Sequence, residues 1–181
     1  MTEPITATAS LSRTGADERT ASAAPMGEAE RRSLKRAFGA FPTGVTVVTT
    51  WHGGEPRGFT ANSFTSVSID PPLLLVCHAH GGSSGTAFAD AQGFAVNILS
   101  AEQEAVAMRF ASKIPDRFAT IAHERGRNGP LIEGCASWLD CAMERTVNAG
   151  DHTILIGRVE RHAAHGLPPL AYWNGQFHHG L

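Results

Sequence analysis

Two segments of this chain carry more hydroxyl and amide side chains than an ordinary strand or turn requires. Gly58-Phe59-Thr60-Ala61-Asn62-Ser63-Phe64-Thr65-Ser66-Val67-Ser68 offers many hydrogen-bond donors and contains no Asp, Glu, Lys, Cys or His. Such a stretch suits a polar, neutral-to-anionic ligand better than proton exchange or metal binding. A hydroxyl-rich edge strand is the plainer alternative. The second segment, Gly81-Gly82-Ser83-Ser84-Gly85, follows a short apolar run and precedes a helical stretch from Thr86 to Ala91. Its glycines let the backbone come close to a ligand, and Ser83, Ser84 and Thr86 set hydroxyls beside free N–H groups, a pattern that binds phosphate. The same residues also make an ordinary flexible turn with a helix cap. Formally the segment matches the G-x-S-x-G nucleophile elbow, but that chemistry needs a mostly parallel sheet with an acid and a histidine later in the chain. Here Asp151 and His152 are neighbours, an awkward way to supply both.

Nine histidines raise the question of a metal. His123-Glu124 lacks the second histidine of an H-E-x-x-H site, and His78-Ala79-His80 has no carboxylate or thiolate close in sequence, so no metal is expected. His162, His165, His178 and His179 lie near the C-terminus, where solvent-facing histidine is the default. His152 differs because it follows Gly150-Asp151 at a hairpin tip, where a side chain can lean over a barrel mouth. The cysteines Cys77, Cys135 and Cys141 are odd in number and form no C-x-x-C pair, which argues against a disulfide framework. Cys135 and Cys141 read as small hydrophobes on one strand, both facing the core.

These residues have to be positioned by short elements. Leu34, Phe38 and Phe41 recur at helical spacing from Glu28 onward, and Pro42 stops the helix. Beyond it, β-branched runs alternate with turns: Val45 to Thr50 and Gly58 to Ala61 predict a hairpin, and Val67 to Ile69, Leu73 to Cys77 and Phe94 to Leu99 predict further strands. Ser100 with Gln103 forms a capping-box pattern opening a helix to about Ala111, with Val106 and Phe110 on one face. Ala136 to Val147 and Thr153 to Val159 flank Gly150-Asp151, and Ala171 to Phe177 surrounds Asn174-Gly175, a dipeptide favoured in tight hairpins. The reading predicts six to eight strands with two or three helices. Turns this short forbid parallel crossovers, so the predicted fold is mainly β, a small antiparallel barrel.

The composition agrees. With 181 residues, 42% hydrophobic and 18% charged, the chain suits one globular core. Residues 1–27 are rich in Thr, Ala, Ser and Pro without apolar periodicity and read as a disordered tail ahead of a domain over 28–181. A net charge of -2 with scattered Lys and Arg offers no field for nucleic acid. No apolar run approaches the roughly 20 residues of a membrane span, and no secretory signal is visible, so the expected location is cytoplasmic. No GxGxxG motif opens a Rossmann unit, so any dinucleotide is bound in another way.

Taken in order, Phe41-Pro42-Thr43-Gly44-Val45-Thr46-Val47-Val48-Thr49-Thr50, Gly58 through Pro72, Phe94-Ala95-Val96-Asn97-Ile98-Leu99, Gly150-Asp151-His152 and Pro169-Leu170-Ala171-Tyr172-Trp173 resemble the short flavin reductases that serve two-component flavin-dependent monooxygenases. The likeness runs from about Leu34 to Leu181. Phe110-Ala111-Ser112-Lys113 and Asp116-Arg117-Phe118 resemble a branch found in antibiotic and related secondary-metabolite pathways.

The resemblance implies a split β-barrel with Greek-key-like antiparallel strands and a few flanking helices. It implies a homodimer with FMN or FAD at the subunit interface and NADH or NADPH as hydride donor. By that likeness Thr60, Ala61 and Asn62 line the flavin ring edge, with Thr43 and Val45 close by. Ser63, Ser66 and Ser68 follow the ribityl and phosphate path, and Ser83, Ser84 and Thr86 add phosphate contacts. His152 contacts the nicotinamide nucleotide, and Phe118 helps to cover it. Hydride transfer between two cofactors needs no protein nucleophile, so no catalytic side chain is expected. A flavin-binding protein without turnover is the alternative. A flavin oxidase with a phosphorylated substrate would need a basic cluster, which the linear sequence does not display.

Overall fold

The computed structural model describes residues 26–82 and 84–180, so the expected tail up to Pro25, Ser83 and Leu181 lie outside the described residues. The first helix, α1 (Glu28–Gly39), ends before Pro42. Then come β1 (Thr43–Gly44), β2 (Thr46–His52), β3 (Glu55–Ala61), β4 (Thr65–Ile69), β5 (Pro72–Ala79), the short helix α2 (Gly85–Ala89) and β6 (Gly93–Ile98). A 3-10 turn over Ala101–Gln103 leads into α3 (Glu104–Ala111), and β7 (His123–Arg125), β8 (Pro130–Ile132), β9 (Ser137–Ala149), β10 (His152–Ala164), β11 (Ala171–Trp173) and β12 (Gln176–His178) follow.

Seven strands form one antiparallel sheet in the order β3-β2-β6-β9-β10-β5-β4. Its two end strands, β3 and β4, are consecutive in the chain and joined only by residues 62–64, so the sheet has to curl until its edges meet. That is the expected split barrel. The alternation of side chains along each strand divides the apolar residues between two cores. Val48, Leu74, Val76, Phe94, Val96 and Leu155 fill the barrel with Phe88 of α2. Val45, Val47, Leu99, Ile132 and Leu170 pack outside it against Ala107 and Phe110 of α3 and against Phe118. Each such side chain withdrawn from water contributes about 1.5–3 kcal/mol.

Because β2 is covered on both faces, its threonines have to find partners. Thr46 Oγ1 donates to Ala61 O (2.9 Å), Thr49 Oγ1 to Pro130 O (2.7 Å) and Thr50 Oγ1 to Gly93 O (2.8 Å). Asn97, also buried, donates from Nδ2 to Val47 O (3.1 Å) and accepts from Ile132 N at Oδ1 (2.8 Å). These bonds tie β2 and β8 to the barrel wall.

Three expectations change. The described residues hold twelve strands rather than six to eight, because β1, β7 and β8 are two or three residues long and too short to show any alternation, while the expected Ala171 to Phe177 hairpin supplies β11 and β12. Cys135 lies in the turn before β9 rather than on the strand with Cys141, although both are fully buried. Burial pushes the thiols of both upward, that of Cys141 to about 12 with help from Asp140 and Glu160, which leaves them as inert core residues. Finally, the capping pattern at Ser100 is real, with Gln103 Oε1 accepting from Ser100 N (3.1 Å), but it opens the 3-10 turn and not α3 itself.

Candidate functional site

Four neighbouring spaces share lining residues and together make up a trough-like region. Its apolar part, about 340 Å³, is lined by Val45, Thr60, Ala61, Asn62, Tyr172 and Phe177, with Met108 and Ala111 from α3. Thr60 and Ala111 also line the next part, about 240 Å³, where His78, Gly82, Ser84 and Arg117 replace the apolar wall. From there Ser84 and Arg117 lead into a space of about 460 Å³ bordered by Arg57, Lys113, Asp116 and Phe118. In another direction His78 and Gly82 lead into one of about 390 Å³ bordered by His80, Thr86 and Thr153.

The elements explain why these groups meet. β3 enters the apolar part with Thr60 and Ala61, and α3 is clamped over it because Thr60 Oγ1 donates to Ala107 O (2.6 Å). The β11–β12 hairpin supplies Tyr172 and Phe177; its turn residues Asn174 and Gly175 sit at φ 53° and 83°, the left-handed pair that a two-residue turn requires. The loop after α3 is folded by its own arginines. Arg109 Nε donates to Arg117 O (2.7 Å), while Arg117 donates from Nε to Ser112 O (3.0 Å) and from Nη1 to Gly58 O (2.9 Å) and Ser84 Oγ (3.2 Å). Burial lowers the Arg117 guanidinium from its ordinary value, yet it stays a cation at neutral pH.

Of the residues singled out in the sequence, Val45, Thr60, Ala61 and Asn62 line the apolar part and Ser84 the polar one. Thr43 sits on β1 beside it, its hydroxyl 3.5 Å from Tyr172 O. Thr86 borders the space next to His78. Ser63 spends its hydroxyl on β5, accepting from Cys77 N (2.9 Å). Ser66 and Ser68 lie on the edge strand β4 and line none of these spaces. Ser83 is outside the described residues. Phe118 packs edge-on against Phe110 (4.8 Å) in the second core and borders the basic part. His152 stands at the hairpin tip with Nδ1 2.6 Å from Asp151 Oδ1, and that contact holds the exposed Asp151 carboxyl below its ordinary value.

The fold also assembles what the linear sequence scatters. Arg57 of β3 joins Lys113 and Arg117 of the loop after α3 to border one space, a basic cluster that was not expected. Tyr172, Phe177, Met108 and His78 were not given site roles either, although β5 alternates Leu74, Val76 and His78 inward and that period was readable. Among the described residues no group of His, Cys, Asp and Glu could hold a metal ion, and no helix is long and apolar enough to cross a membrane.

An apolar slot with a polar rim, continued by a cationic and hydroxyl-bearing channel, fits a flat aromatic ring bearing an anionic tail. Comparison with known proteins agrees with that shape. Residues 38–181 match the family described as flavin reductase like domain. The chain is 50% identical over 148 residues to the reductase component of the flavin-dependent trigonelline monooxygenase of Acinetobacter baylyi, covering 81% of this chain and 48% of that one. It is 42% identical over 154 residues to the FMN reductase (NADH) SmoA of Agrobacterium fabrum, covering 84% and 87%. The solved structure of the Streptomyces globisporus NADH:FAD oxidoreductase SgcE6 in complex with NAD and FAD fragments superposes with a TM-score of 0.79 at 40% identity, covering 86% and 96%. Against three curated relatives, the trigonelline monooxygenase component among them, the chain spans 64%, 48% and 48% of the relative's length.

Proposed function

This chain belongs to the flavin reductase like family, and from that membership we propose that it reduces FMN or FAD with NADH or NADPH and passes the reduced flavin to a partner monooxygenase. The adjoining spaces carry the proposal, because they share Thr60 and Ala111 and set an apolar slot beside hydroxyl and guanidinium groups suited to a ribityl phosphate. When bound there, flavin supplies the hydride acceptor, N5, for the nicotinamide C4 hydride.

The chain's own part is positioning. Val45, Ala61, Tyr172 and Phe177 exclude water from the ring, and the Thr60 to Asn62 backbone offers its polar edge hydrogen bonds that favour negative charge on the reduced ring. Ser84 and Arg117 hold the phosphate, with Thr86 beside the same path and Thr43 at the ring's margin. Arg57 and Lys113 extend positive charge beyond Arg117. His152 and Phe118 receive the nicotinamide nucleotide. We further propose a cytoplasmic homodimer, since exposed apolar side chains of α1 lie beside the hairpin that supplies Tyr172 and Phe177.

Relatives whose names specify NADH with FMN in one case and NADH with FAD in another support this reading. The test is NADH and NADPH oxidation by the purified protein with FMN, FAD, riboflavin or no flavin. Fast oxidation only with flavin is expected, and a serine-directed fluorophosphonate should leave it intact. Flavin that binds but is never bleached by reduced nicotinamide would make the protein a passive binder.

A further inference from the structure

His78 is the inward residue at the end of β5, 4% exposed, and its ring nitrogens have no hydrogen-bond partner among the described residues. Among the described residues the buried side-chain nitrogen without a partner is His178 Nε2, so the His78 nitrogens are not sealed off but open onto the spaces that His78 borders, where a ligand can reach them. The ring is wedged between Phe59, edge-on at 4.6 Å, and Phe88, stacked at 5.4 Å. The glycine-rich loop lies directly upon it: a Cβ built on Gly82 would stand 3.4 Å from His78 Nε2 and 3.2 Å from Ala79 O. Nε2 therefore faces the loop, and His78 borders both the polar part of the trough, with Ser84 and Arg117, and the space lined by Thr86.

We propose that His78 is the floor of the flavin phosphate subsite, donating from Nε2 to the phosphate and taking up a proton as it binds. This rests on the flavin reading above.

The surroundings set the direction. From β3 and α2 the ring meets only Phe59 and Phe88, which are uncharged. From the turn after its strand it faces His80, whose Nε2 is 3.0 Å from Thr153 Oγ1; from β10 it faces His152, paired with Asp151; and Arg117 borders the same space. Burial first, then His152 and His80, hold His78 below the ordinary imidazole value, so it is neutral near pH 7 before a ligand binds. A phosphate dianion beside it reverses that balance and favours the imidazolium. Affinity for a phosphorylated flavin then falls as pH rises, by up to about tenfold per pH unit where one proton is taken up.

FMN and riboflavin titrations between pH 5.5 and 8.5, followed by flavin fluorescence, compare the wild type with His78→Gln and His78→Leu. The wild-type advantage for FMN should shrink from about tenfold near pH 6 towards twofold or less near pH 8, and riboflavin, which has no phosphate, should show no such trend. The phosphate's own titration, with its second pKa of about 6, is common to all three proteins and cancels. Calorimetry of FMN binding to the wild type in buffers of different ionisation enthalpy should show proton uptake near pH 7, a readout that does not depend on the variants folding. An FMN affinity ratio constant across pH, the same pH trend with riboflavin, or no proton uptake would overturn the role of His78 while leaving the flavin site standing. Failure of every flavin to bind the wild type would instead remove the reading on which it rests.

Discussion

At the scale of single residues the proposed site divides between two ligands. His152 stands at a hairpin tip, held by Asp151, and lines none of the spaces assigned to flavin. Substituting it with alanine should raise the KM for NADH about two- to tenfold, the worth of one contact of roughly 0.5–1.5 kcal/mol, with flavin affinity nearly unchanged. Thr60→Val should do the reverse. Its hydroxyl clamps α3 over the apolar slot, so losing it loosens the wall that the ring packs against. Steady-state kinetics with varied NADH at saturating flavin, beside flavin titrations, separate the two. Loss of flavin binding in His152→Ala, or a fall in kcat of several orders of magnitude at saturating NADH, would merge the sites. The place of Thr60, Ala61 and Asn62 beside the apolar space and of His152 at a hairpin tip was legible from residue type and turn position, whereas Ser66 and Ser68 fall on the edge strand away from it. Arg117 and His78 were not, since a guanidinium that folds a loop and an imidazole that floors a pocket depend on partners distant in sequence.

At the scale of elements the long strands were legible for a physical reason. Each is a β-branched or aromatic run bounded by Gly, Pro or Asn, and Val45 to Thr50 read as a strand because both its faces are buried. The paired β7 and β8 were invisible, since Pro130, Leu131 and Ile132 show no alternation and owe their place to Asn97 and Thr49 reaching in from the barrel. The C-terminal strands were signalled by Asn174-Gly175, but not what fastens them. His179 Nδ1 lies 2.7 Å from Ala101 O and Nε2 2.8 Å from Glu104 Oε2. Both nitrogens donate only in the imidazolium, and the carbonyl first, then Glu104, raise its pKa. A raised pKa in the folded state gives stability that is fully present below the unfolded value of 6.5 and is lost as pH rises through the folded one. The difference in Tm between wild type and His179→Gln should therefore be largest near pH 6 and vanish by about pH 9. A difference that persists at pH 9 would mean that His179 holds the terminus by packing and not by its proton.

At the scale of the whole molecule, curling the sheet brings β3, the loop after β5, α3 and the final hairpin to one end of the barrel. The trough therefore follows from topology, which no local pattern contains. One surface is left unexplained by a single chain. Helix α1 has no buried residue, and Phe38 and Phe41 are 70% and 74% exposed. A helix this short is marginal in water unless its apolar face is covered. Its C-terminal end is fastened to the β11–β12 hairpin, where Asn174 N donates to Gly39 O (3.0 Å) and Trp173 Nε1 to Ala40 O (3.2 Å). A second copy seated on α1 would thus lie beside Tyr172 and Phe177 and could close the ring slot. Light scattering should give twice 19.2 kDa for the wild type. The double substitution Phe38→Glu and Phe41→Glu should give monomers that bind flavin at least about tenfold more weakly, or about 1.4 kcal/mol. A variant that stays dimeric would move the interface elsewhere, and a monomer that holds flavin as tightly as the wild type would show that each site is complete within one chain.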